Sequence, residues 1–285
     1  MRAVMCKSWG EPENLKVEET HAPIAGPGEA LLAVKACGIN FGDVLMVQGK
    51  YQVKPAFPFT PGFEISGEVI GCGEGVTNCK PGDRVIGFPP YGGYAEQAVV
   101  RADGVIPIPD SMDYVSAASF PVAYGTSHVA LDRCGRLAEG ETLLVLGAAG
   151  GVGLTAVEIG KAMGAKVIAA ARGPEKLEIA KQHGADELID YESEDLRTKV
   201  KELTGERGVD VVYDPVGGDY FDAALRCLAW EGRILVIGFA AGRIPEIPAN
   251  RLLLKSAQAI GVYWGAYRQH DPSVIAPIEI GRAHV

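Results

Sequence analysis

The sequence predicts an α/β protein in which a mostly-β domain at residues 1–121 precedes a doubly wound parallel sheet at residues 122–265. Short strand-like runs separated by Gly and Pro fill the first part. In the second part, near-continuous apolar runs alternate with amphipathic helical segments, which is typical of a parallel sheet covered on both faces. A glycine-rich turn joins the first of these strands to a helix, which is the third observation.

Composition limits the classes of function. The chain has 285 residues, of which 47% are hydrophobic and 22% charged, so it can bury a core of ordinary size. The net charge is −9 without any basic run, and we expect no nucleic-acid partner. The uncharged, apolar stretch near the middle of the chain at residues 142–157 is too short and too rich in glycine to span a bilayer, so we expect no membrane association. Residues 1–7 lack the apolar core of a signal peptide, and six scattered cysteines without a Cys-x-x-Cys pair favour reduced thiols and a cytoplasmic location.

The first domain contains four runs that we predict as short strands. They lie at residues 30–34, 65–70, 84–88 and 96–100. Near the end of the domain, Asp113 can cap a helix that runs toward Phe120, and Pro121 is expected to break or kink it. A second helix is then predicted from residue 122 to Gly135.

The second domain alternates between strands and helices. Strands are predicted at residues 142–146, 166–170, 209–213 and 233–237. Helices are predicted at residues 152–163 and 174–183, and Gly164 is placed to end the first of them. Strands joined through helices run parallel, so the sequence predicts a parallel sheet with helical crossovers.

The glycine-rich turn has the sequence GAAGGVG over residues 147–153. Gly150 lets the backbone approach a pyrophosphate, and Gly153 lets the helix pack closely on the sheet. The free N–H groups and positive dipole end of the helix favour phosphate. Ala148 replaces the first glycine of the usual fingerprint, and a tight turn without a ligand is the alternative interpretation. We predict a dinucleotide site that includes Ala149, Gly150, Gly151, Val152 and Gly153.

The end of the second predicted strand of this domain indicates which dinucleotide binds. NAD-binding proteins usually place Asp or Glu there, to bond the ribose 2′-hydroxyl. Residues 169–173 contain no acid, whereas Arg172 and Lys176 suit a 2′-phosphate. The sequence therefore predicts NADP(H), with a solvated helix start as the alternative explanation of these charges.

Six short motifs together carry a family resemblance. They are residues 36–43 (ACGINFGD), 61–64 (PGFE), 82–85 (GDRV), 124–127 (YGTS), 148–153 (AAGGVG) and 213–218 (YDPVGG). In this order and spacing, residues 1–276 resemble the zinc-independent medium-chain dehydrogenases/reductases of the quinone oxidoreductase, zeta-crystallin-like type. The resemblance implies a GroES-like catalytic domain and a Rossmann domain that binds NADP(H).

The resemblance also bears on metal binding. Zinc-dependent members of the superfamily would place Cys at position 40 and His at position 63, where this chain has Asn40 and Phe63. Neither residue supplies the thiolate or imidazole that catalytic zinc prefers. We therefore expect no metal site and a reaction that needs no metal.

The resemblance assigns further residues to the site. Asn40 and Tyr51 are implied to border the nicotinamide, and Thr126 to contact it. Structural interpretations remain open, with Asn40 as a turn former and Tyr51 as a loop cover. The rest of the cofactor trough is implied to include Tyr191 at the 2′-phosphate, Gly238, Phe239 and Trp264, the last also interpretable as a core or interface residue.

The reaction implied by the resemblance is hydride transfer from the nicotinamide to a quinone or an activated enone in the cleft between the domains. The cofactor supplies the hydride and the protein supplies orientation. The proton is expected from water or from Tyr51. Alternative functions are the reduction of an enoyl thioester or a 2-alkenal, and cofactor binding with little turnover.

Two expectations concern assembly and the chain end. The apolar, strand-like residues 257–263 are expected to form a sheet edge through which the protein is a homodimer. Residues 266–279 are expected to begin a return to the first domain that is cut short. Residues 280–285 (IGRAHV) resemble a translated sequencing adapter, so we expect them not to be native.

Overall fold

The computed structural model describes residues 1–271, which fall into two compact units. The first unit is Met1–Pro121 and the second begins at Val122. Of the expected C-terminal return at residues 266–279, only residues 266–271 are described, and they belong to the second unit. The expected non-native tail at residues 280–285 lies outside the described residues.

The first unit is built on antiparallel strands. Its elements are β1 (Arg2–Met5), β2 (Lys16–Glu19), β3 (Glu29–Cys37), α1 (Phe41–Val47), β4 (Ile65–Cys72), β5 (Arg84–Gly87), β6 (Gln97–Arg101) and β7 (Ile106–Pro107), with 3-10 turns at Pro12–Asn14 and Ala102–Gly104. Five strands form one sheet in the order β6-β3-β4-β5-β7, and β1 pairs with β2. All four predicted strands are present. Alternate residues along them, such as Ala30 and Leu32 of β3, are buried in one apolar cluster.

The helix after the first unit's sheet differs from the prediction. Asp113 caps it as expected, since its carboxylate accepts a 2.9 Å hydrogen bond from the Ser116 N–H. The helix, α2 (Tyr114–His128), does not end at Pro121 but contains it, and a π-helical segment (Val129–Cys134) continues to Gly135. Proline removes one backbone hydrogen bond. Ala117 and Ala118 before the proline are buried, and so are residues 129–131 of the π-helical segment after it. Burial on both sides of Pro121 helps to offset the lost hydrogen bond.

The second unit contains a six-stranded sheet in which every pairing is parallel. Its strands are β8 (Thr142–Leu146), β9 (Lys166–Ala171), β10 (Glu187–Asp190), β11 (Val209–Asp214), β12 (Leu228–Val236) and β13 (Gln258–Gly261). Their order is β10-β9-β8-β11-β12-β13. This is the doubly wound Rossmann order, and it reverses between β8 and β11. The predicted two-domain α/β fold is confirmed.

A helix follows each of these strands in the chain. They are α3 (Gly151–Ala162), α4 (Pro174–Gln182), α5 (Leu196–Thr204), α6 (Gly218–Leu225), α7 (Ala249–Leu253) and α8 (Trp264–His270). On β8, Leu143 and Val145 pack into one apolar cluster, while Leu144 and Leu146 pack into a second. All four side chains are fully buried, so the sheet has a core on each face.

Candidate functional site

The glycine-rich turn follows β8 at its carboxyl end, beside the point where the strand order reverses between β8 and β11. Gly147 leaves the strand with φ +60°, a left-handed conformation that favours glycine. The Gly150 N–H bonds the Gly147 carbonyl at 2.9 Å, and the Ala148 N–H bonds Ala170 of β9 at 3.1 Å. The turn is thus fixed to the neighbouring strand before α3 begins.

Two glycines of this turn have different surroundings. A Cβ on Gly153 would lie 2.2 Å from the Gly147 carbonyl oxygen, so the close approach of α3 to the turn requires glycine there. A Cβ on Gly151 would meet no atom within 4 Å. The N–H groups of residues 151–153 belong to the first helical turn, where helix geometry leaves them without an intrahelical acceptor. This open helix end fits a pyrophosphate.

A buried hydroxyl cluster lies beneath the first turn of α3. The Ser127 hydroxyl of α2 donates to the Val152 carbonyl at 2.8 Å. It also lies 2.8 Å from the hydroxyls of both Thr155 and Tyr213. Ser127 and Tyr213 are fully buried, so these bonds are shielded from water and tie α2, α3 and β11 together. The sequence motifs at 124–127 and 213–218 contain Ser127 and Tyr213, but their spacing did not reveal this contact.

The carboxyl ends of β9 and β10 hold the residues predicted to bind a 2′-phosphate. Arg172 follows β9 and is exposed, and Tyr191 follows β10. Gly173, with φ +80°, donates its N–H to the Asp190 carboxylate at 3.1 Å, and this bond contributes to lowering the pKa of Asp190. Lys176 is exposed in the first turn of α4. The structure therefore places both predicted cations beside the strand end.

Tyr220 of α6 joins this group and was missed by the sequence analysis. Its ring centroid lies 4.2 Å from that of Tyr191. The nearby Tyr220 hydroxyl is the main cause that raises the pKa of Arg172. Tyr220 lies 29 positions after Tyr191, in a different strand–helix pair, and the only nearby signal was the motif that ends at residue 218.

At the end of β11, Asp214 organises the next loop. Its side chain is fully buried, and one carboxylate oxygen accepts the N–H groups of Val216 and Gly217 at 2.7 and 2.9 Å. The other oxygen, Oδ2, is buried without a hydrogen-bond partner. Burial raises the pKa of Asp214 to about 6, against the lowering effect of the two N–H groups.

Two predicted residues of the trough, Gly238 and Phe239, lie against this loop. The Gly238 N–H approaches the Asp214 carbonyl at 3.4 Å. A Cβ on Gly217 would come within 3.2 Å of the Phe239 ring. Both residues thus lie at the carboxyl edge of the parallel sheet, where the glycine-rich turn and Arg172 also lie.

The remaining residues predicted in the second unit lie on two helices. Thr126 is nearly buried in α2, and Trp264 is the first residue of α8 and is also nearly buried. A Cβ on Gly125 would lie 2.8 Å from the Trp264 indole, so the ring packs directly on the backbone beside Thr126. The structural interpretation of Trp264 as a core residue therefore has support.

In the first unit, Asn40 is tied into a buried polar cluster. Its side-chain N–H donates to the Glu64 carboxylate at 2.6 Å, and its backbone N–H donates to Asp43 at 2.9 Å, which caps α1. The Gly62 N–H donates to the other Asp43 oxygen at 3.0 Å. Burial raises the pKa of Asp43, against the lowering effect of these bonds. Asn40 is thus a turn former as well as a candidate site residue.

Tyr51 and Phe63 lie side by side near this cluster. Their rings are parallel, with centroids 6.0 Å apart, and a Cβ on Gly42 would come within 3.0 Å of Phe63 and 3.2 Å of Tyr51. Phe63 occupies the position where zinc-dependent relatives would carry His. Within residues 1–271, no group of three or more His, Cys, Asp or Glu side chains is arranged to hold a metal ion.

Two family descriptions match the chain. The alcohol dehydrogenase GroES-like domain matches residues 26–110, and the zinc-binding dehydrogenase family matches residues 151–277. Together they correspond to the antiparallel and parallel units of the fold.

Similar proteins indicate the family more narrowly than the two domain descriptions do. The quinone oxidoreductase-like protein 2 homolog of Nematostella vectensis is 46% identical over 277 residues, which cover 96% of this chain and 75% of that protein. The mouse quinone oxidoreductase-like protein 2 is 44% identical over 276 residues, which cover 96% of this chain and 78% of that protein. The chain belongs to the zinc-independent quinone oxidoreductase family.

Two solved structures have the same fold. The Escherichia coli quinone oxidoreductase complexed with NADPH aligns with a TM-score of 0.90 at 31% identity, over 98% of this chain and 85% of that one. The CurK enoyl reductase aligns with a TM-score of 0.87 at 26% identity, over 97% and 85%. In the part of this family member that the structure describes, none of the helices is long and apolar enough to cross a membrane.

Proposed function

We propose that this protein is an NADP(H)-dependent reductase that transfers a hydride to a quinone or an activated enone without a metal ion. The observation that carries the proposal lies on adjacent strands. The open helix end after β8 suits a pyrophosphate, and Arg172 after β9 suits a 2′-phosphate. NADP(H) carries both groups. The E. coli quinone oxidoreductase complexed with NADPH supports the same cofactor.

In this proposal the second unit binds the cofactor. The N–H groups of residues 151–153 bind the pyrophosphate, and Arg172, Lys176 and Tyr191 surround the 2′-phosphate. The hydroxyl cluster of Ser127 holds the first turn of α3 in position. The remaining trough residues are Thr126, Gly238, Phe239 and Trp264.

The chemistry needs few protein groups. When bound, NADPH supplies the hydride from C4 of its nicotinamide. Asn40 and Tyr51 are proposed to border the nicotinamide, and the proton comes from water or from the Tyr51 hydroxyl. The Asn40 amide donates to the Glu64 carboxylate. Neither Asn40 nor Phe63 offers the thiolate or imidazole that catalytic zinc prefers, which supports the proposed metal-free reaction.

We also propose a homodimer and a cytoplasmic location, and one feature supports each. The strand β13 is one of the two edge strands of the parallel sheet, which supports the proposed homodimer. All six cysteines are free thiols, which supports a cytoplasmic location.

The test is steady-state NADPH oxidation with a panel of acceptors: 1,4-benzoquinone, 9,10-phenanthrenequinone, methyl vinyl ketone, a 2-alkenal and crotonyl thioester. We expect the quinones or the enone to give the highest kcat/KM. A second candidate, an enoyl-thioester reductase, is favoured by the similarity to CurK enoyl reductase, and preference for crotonyl thioester would select it. Absence of turnover with every acceptor, despite NADPH binding, would indicate a cofactor-binding protein.

A further inference from the structure

Two cysteines meet at one end of the antiparallel sheet of the first unit, outside the residues that the proposed function uses. Cys72 is the last residue of β4 and is exposed, whereas Cys79 is half-buried and packs against the apolar cluster of this sheet. Both are free thiols in the structure. The Cys72 sulfur lies 3.5 Å from the Cys79 carbonyl oxygen, so the loop of residues 73–78 brings the two residues together.

Backbone pairing fixes the position of Cys72. Cys72 pairs with Ala30 of the neighbouring strand β3. The next N–H along the chain, that of Gly73, bonds the Glu29 carbonyl at 2.8 Å. The exposed thiol is therefore attached to the end of a hydrogen-bonded strand rather than to a free loop.

A tight turn fixes the position of Cys79. The turn follows Cys79 directly, and in it the Asp83 N–H bonds the Lys80 carbonyl at 3.1 Å. The Gly82 N–H then bonds the Val69 carbonyl of β4 at 2.9 Å. Hydrogen-bonded backbone thus holds both cysteines beside the same strand end, and their closeness does not depend on a chance arrangement of the loop.

The two thiols differ in how they meet an oxidant. Cys72 is the exposed sulfur, so an oxidant in solution reaches it first. Burial and, less strongly, the charge of the neighbouring Cys72 raise the pKa of Cys79 to about 11, so Cys79 is protonated near neutral pH. Once Cys72 is oxidised its sulfur carries no charge, and that part of the effect on Cys79 is lost. Cys79 then becomes a better nucleophile toward the modified Cys72.

We propose that Cys72 and Cys79 form a redox modification site, which a low-molecular-weight disulfide converts reversibly into an intramolecular disulfide. The Cys72 thiolate attacks one sulfur of the small disulfide and releases its other half as a thiol. The Cys79 sulfur then attacks the Cys72 sulfur of this mixed disulfide and releases the second half. Two protein thiols are oxidised, one small disulfide is reduced to two thiols, and the two protons go to those products. The bond protects the exposed Cys72 from irreversible oxidation.

The experiment treats the reduced wild-type protein with oxidised glutathione and maps the cysteines by mass spectrometry after alkylation. We expect an intramolecular bond between Cys72 and Cys79 and two fewer free thiols than the six of the reduced chain. Dithiothreitol should restore all of them. Cys72→Ser changes an exposed position, so it should leave the fold intact and slow the loss of thiols at least about tenfold.

Two further variants separate the roles of the cysteines. Cys79→Ala should stop at the mixed disulfide of Cys72 with glutathione, because the second attack is lost. Melting curves show whether this variant is folded, since Cys79 packs against the core, and if it is not, the wild-type map decides alone. Cys134→Ser replaces a half-buried thiol of the second unit, and as the matched control it should form the bond as the wild type does.

The proposal fails if the wild type keeps a glutathione adduct on Cys72, as Cys79→Ala should. It fails equally if the bond joins two chains or involves another cysteine, or if oxidised glutathione leaves all wild-type thiols free. None of these measurements uses NADPH or an acceptor, so their outcome is independent of the proposed reductase activity.

Discussion

The Gly147 carbonyl oxygen lies where a Cβ on residue 153 would be only 2.2 Å away. Real Cβ atoms do not approach an oxygen so closely, so any side chain at 153 must push α3 away from the turn. The helix end and the turn are therefore one unit, and the position of the helical N–H groups depends on this glycine.

This contact predicts different effects for two glycine substitutions. Gly153→Ala should lower the free energy of unfolding by about 1–3 kcal/mol, the usual cost of overpacking, and weaken NADPH binding. Gly151→Ala meets no protein atom, so it should leave the melting temperature unchanged but weaken NADPH binding about tenfold or more, because its methyl group stands where the phosphate approaches. Melting curves and NADPH fluorescence titrations measure both effects.

A matched control is Gly71→Ala, on β4 in the first unit, where the nearest atom is at an ordinary 3.8 Å. It should change neither quantity. If Gly151→Ala bound NADPH as the wild type does, the phosphates would not lie at this turn.

The two cations near β9 predict the cofactor preference. Replacing Arg172 and Lys176 together by Gln should weaken NADPH binding roughly ten- to hundredfold, because charged hydrogen bonds to the 2′-phosphate are lost. NADH binding should stay within about twofold, since that cofactor carries no phosphate there. Fluorescence titration of both cofactors checks this, and parallel losses for NADPH and NADH would refute the assignment.

The buried Asp214 predicts a pH-dependent stability. Its pKa is raised to about 6 in the folded protein, so the fold favours the protonated form. The stability associated with this group is therefore fully present below pH 4 and is lost as pH rises through about 6, by roughly 3 kcal/mol. Asp214→Asn removes this titration and keeps a side-chain oxygen for Val216 and Gly217.

The readout is the difference in unfolding free energy between Asp214→Asn and wild type, measured by denaturant titration from pH 4 to pH 8. The difference should move in favour of the variant as pH rises. A difference that is constant with pH would show that the Asp214 pKa is not raised. Comparing the two proteins cancels the opposite contribution of acids whose pKa is lowered, such as Asp186 and Asp210.

The edge strand β13 predicts self-association. We expect light scattering to show a dimer at micromolar concentration. Gly261 is exposed on this strand and its position is open, so Gly261→Asp should place like charges at the pairing edges and give a monomer without loss of melting temperature. A wild-type monomer, or a dimer unaffected by this change, would contradict the predicted interface.

Asn40, which donates to Glu64, stands where zinc-dependent relatives carry a cysteine ligand. We therefore predict that turnover does not depend on a bound metal ion. After extensive chelation, elemental analysis should find no stoichiometric zinc, and NADPH turnover should be unchanged. Zinc bound at one equivalent, with loss of turnover on its removal and recovery on its return, would refute the metal-free mechanism.

Much of the fold could be predicted because local periodicity carried the signal. The predicted start and end of β8 agree with the structure, and helices α3 and α4 differ from prediction by about one residue at their ends. The prediction was less accurate at Pro121, which lies inside α2. Proline disfavours a helix within its own stretch of sequence. The buried turns on either side stabilise the helix through tertiary contacts that this stretch does not show. The start of β12 at Leu228 was also missed, since Glu231 and Gly232 separate residues 228–230 from the predicted strand at residues 233–237.

In the candidate site too, features carried by contiguous sequence could be predicted, whereas features that depend on tertiary packing could not. The placement of residues 147–153, Arg172 and Lys176 at the carboxyl edge of the sheet could be predicted, because a strand–turn–helix motif and its following strand end are contiguous in the sequence. Tyr220 could not, because its contact with Tyr191 depends on how separate strand–helix pairs pack. The unpartnered oxygen of Asp214 was equally invisible, since burial of a single oxygen atom has no sequence signature.

The most direct test of the central claim is equilibrium titration of the wild-type protein with NADPH and NADH under identical salt and pH. Our account predicts saturable binding of NADPH at one site per chain, at least about tenfold tighter than NADH, because only NADPH carries the phosphate that suits Arg172 and Lys176. Equal or tighter binding of NADH, or the absence of saturable NADPH binding, would contradict it.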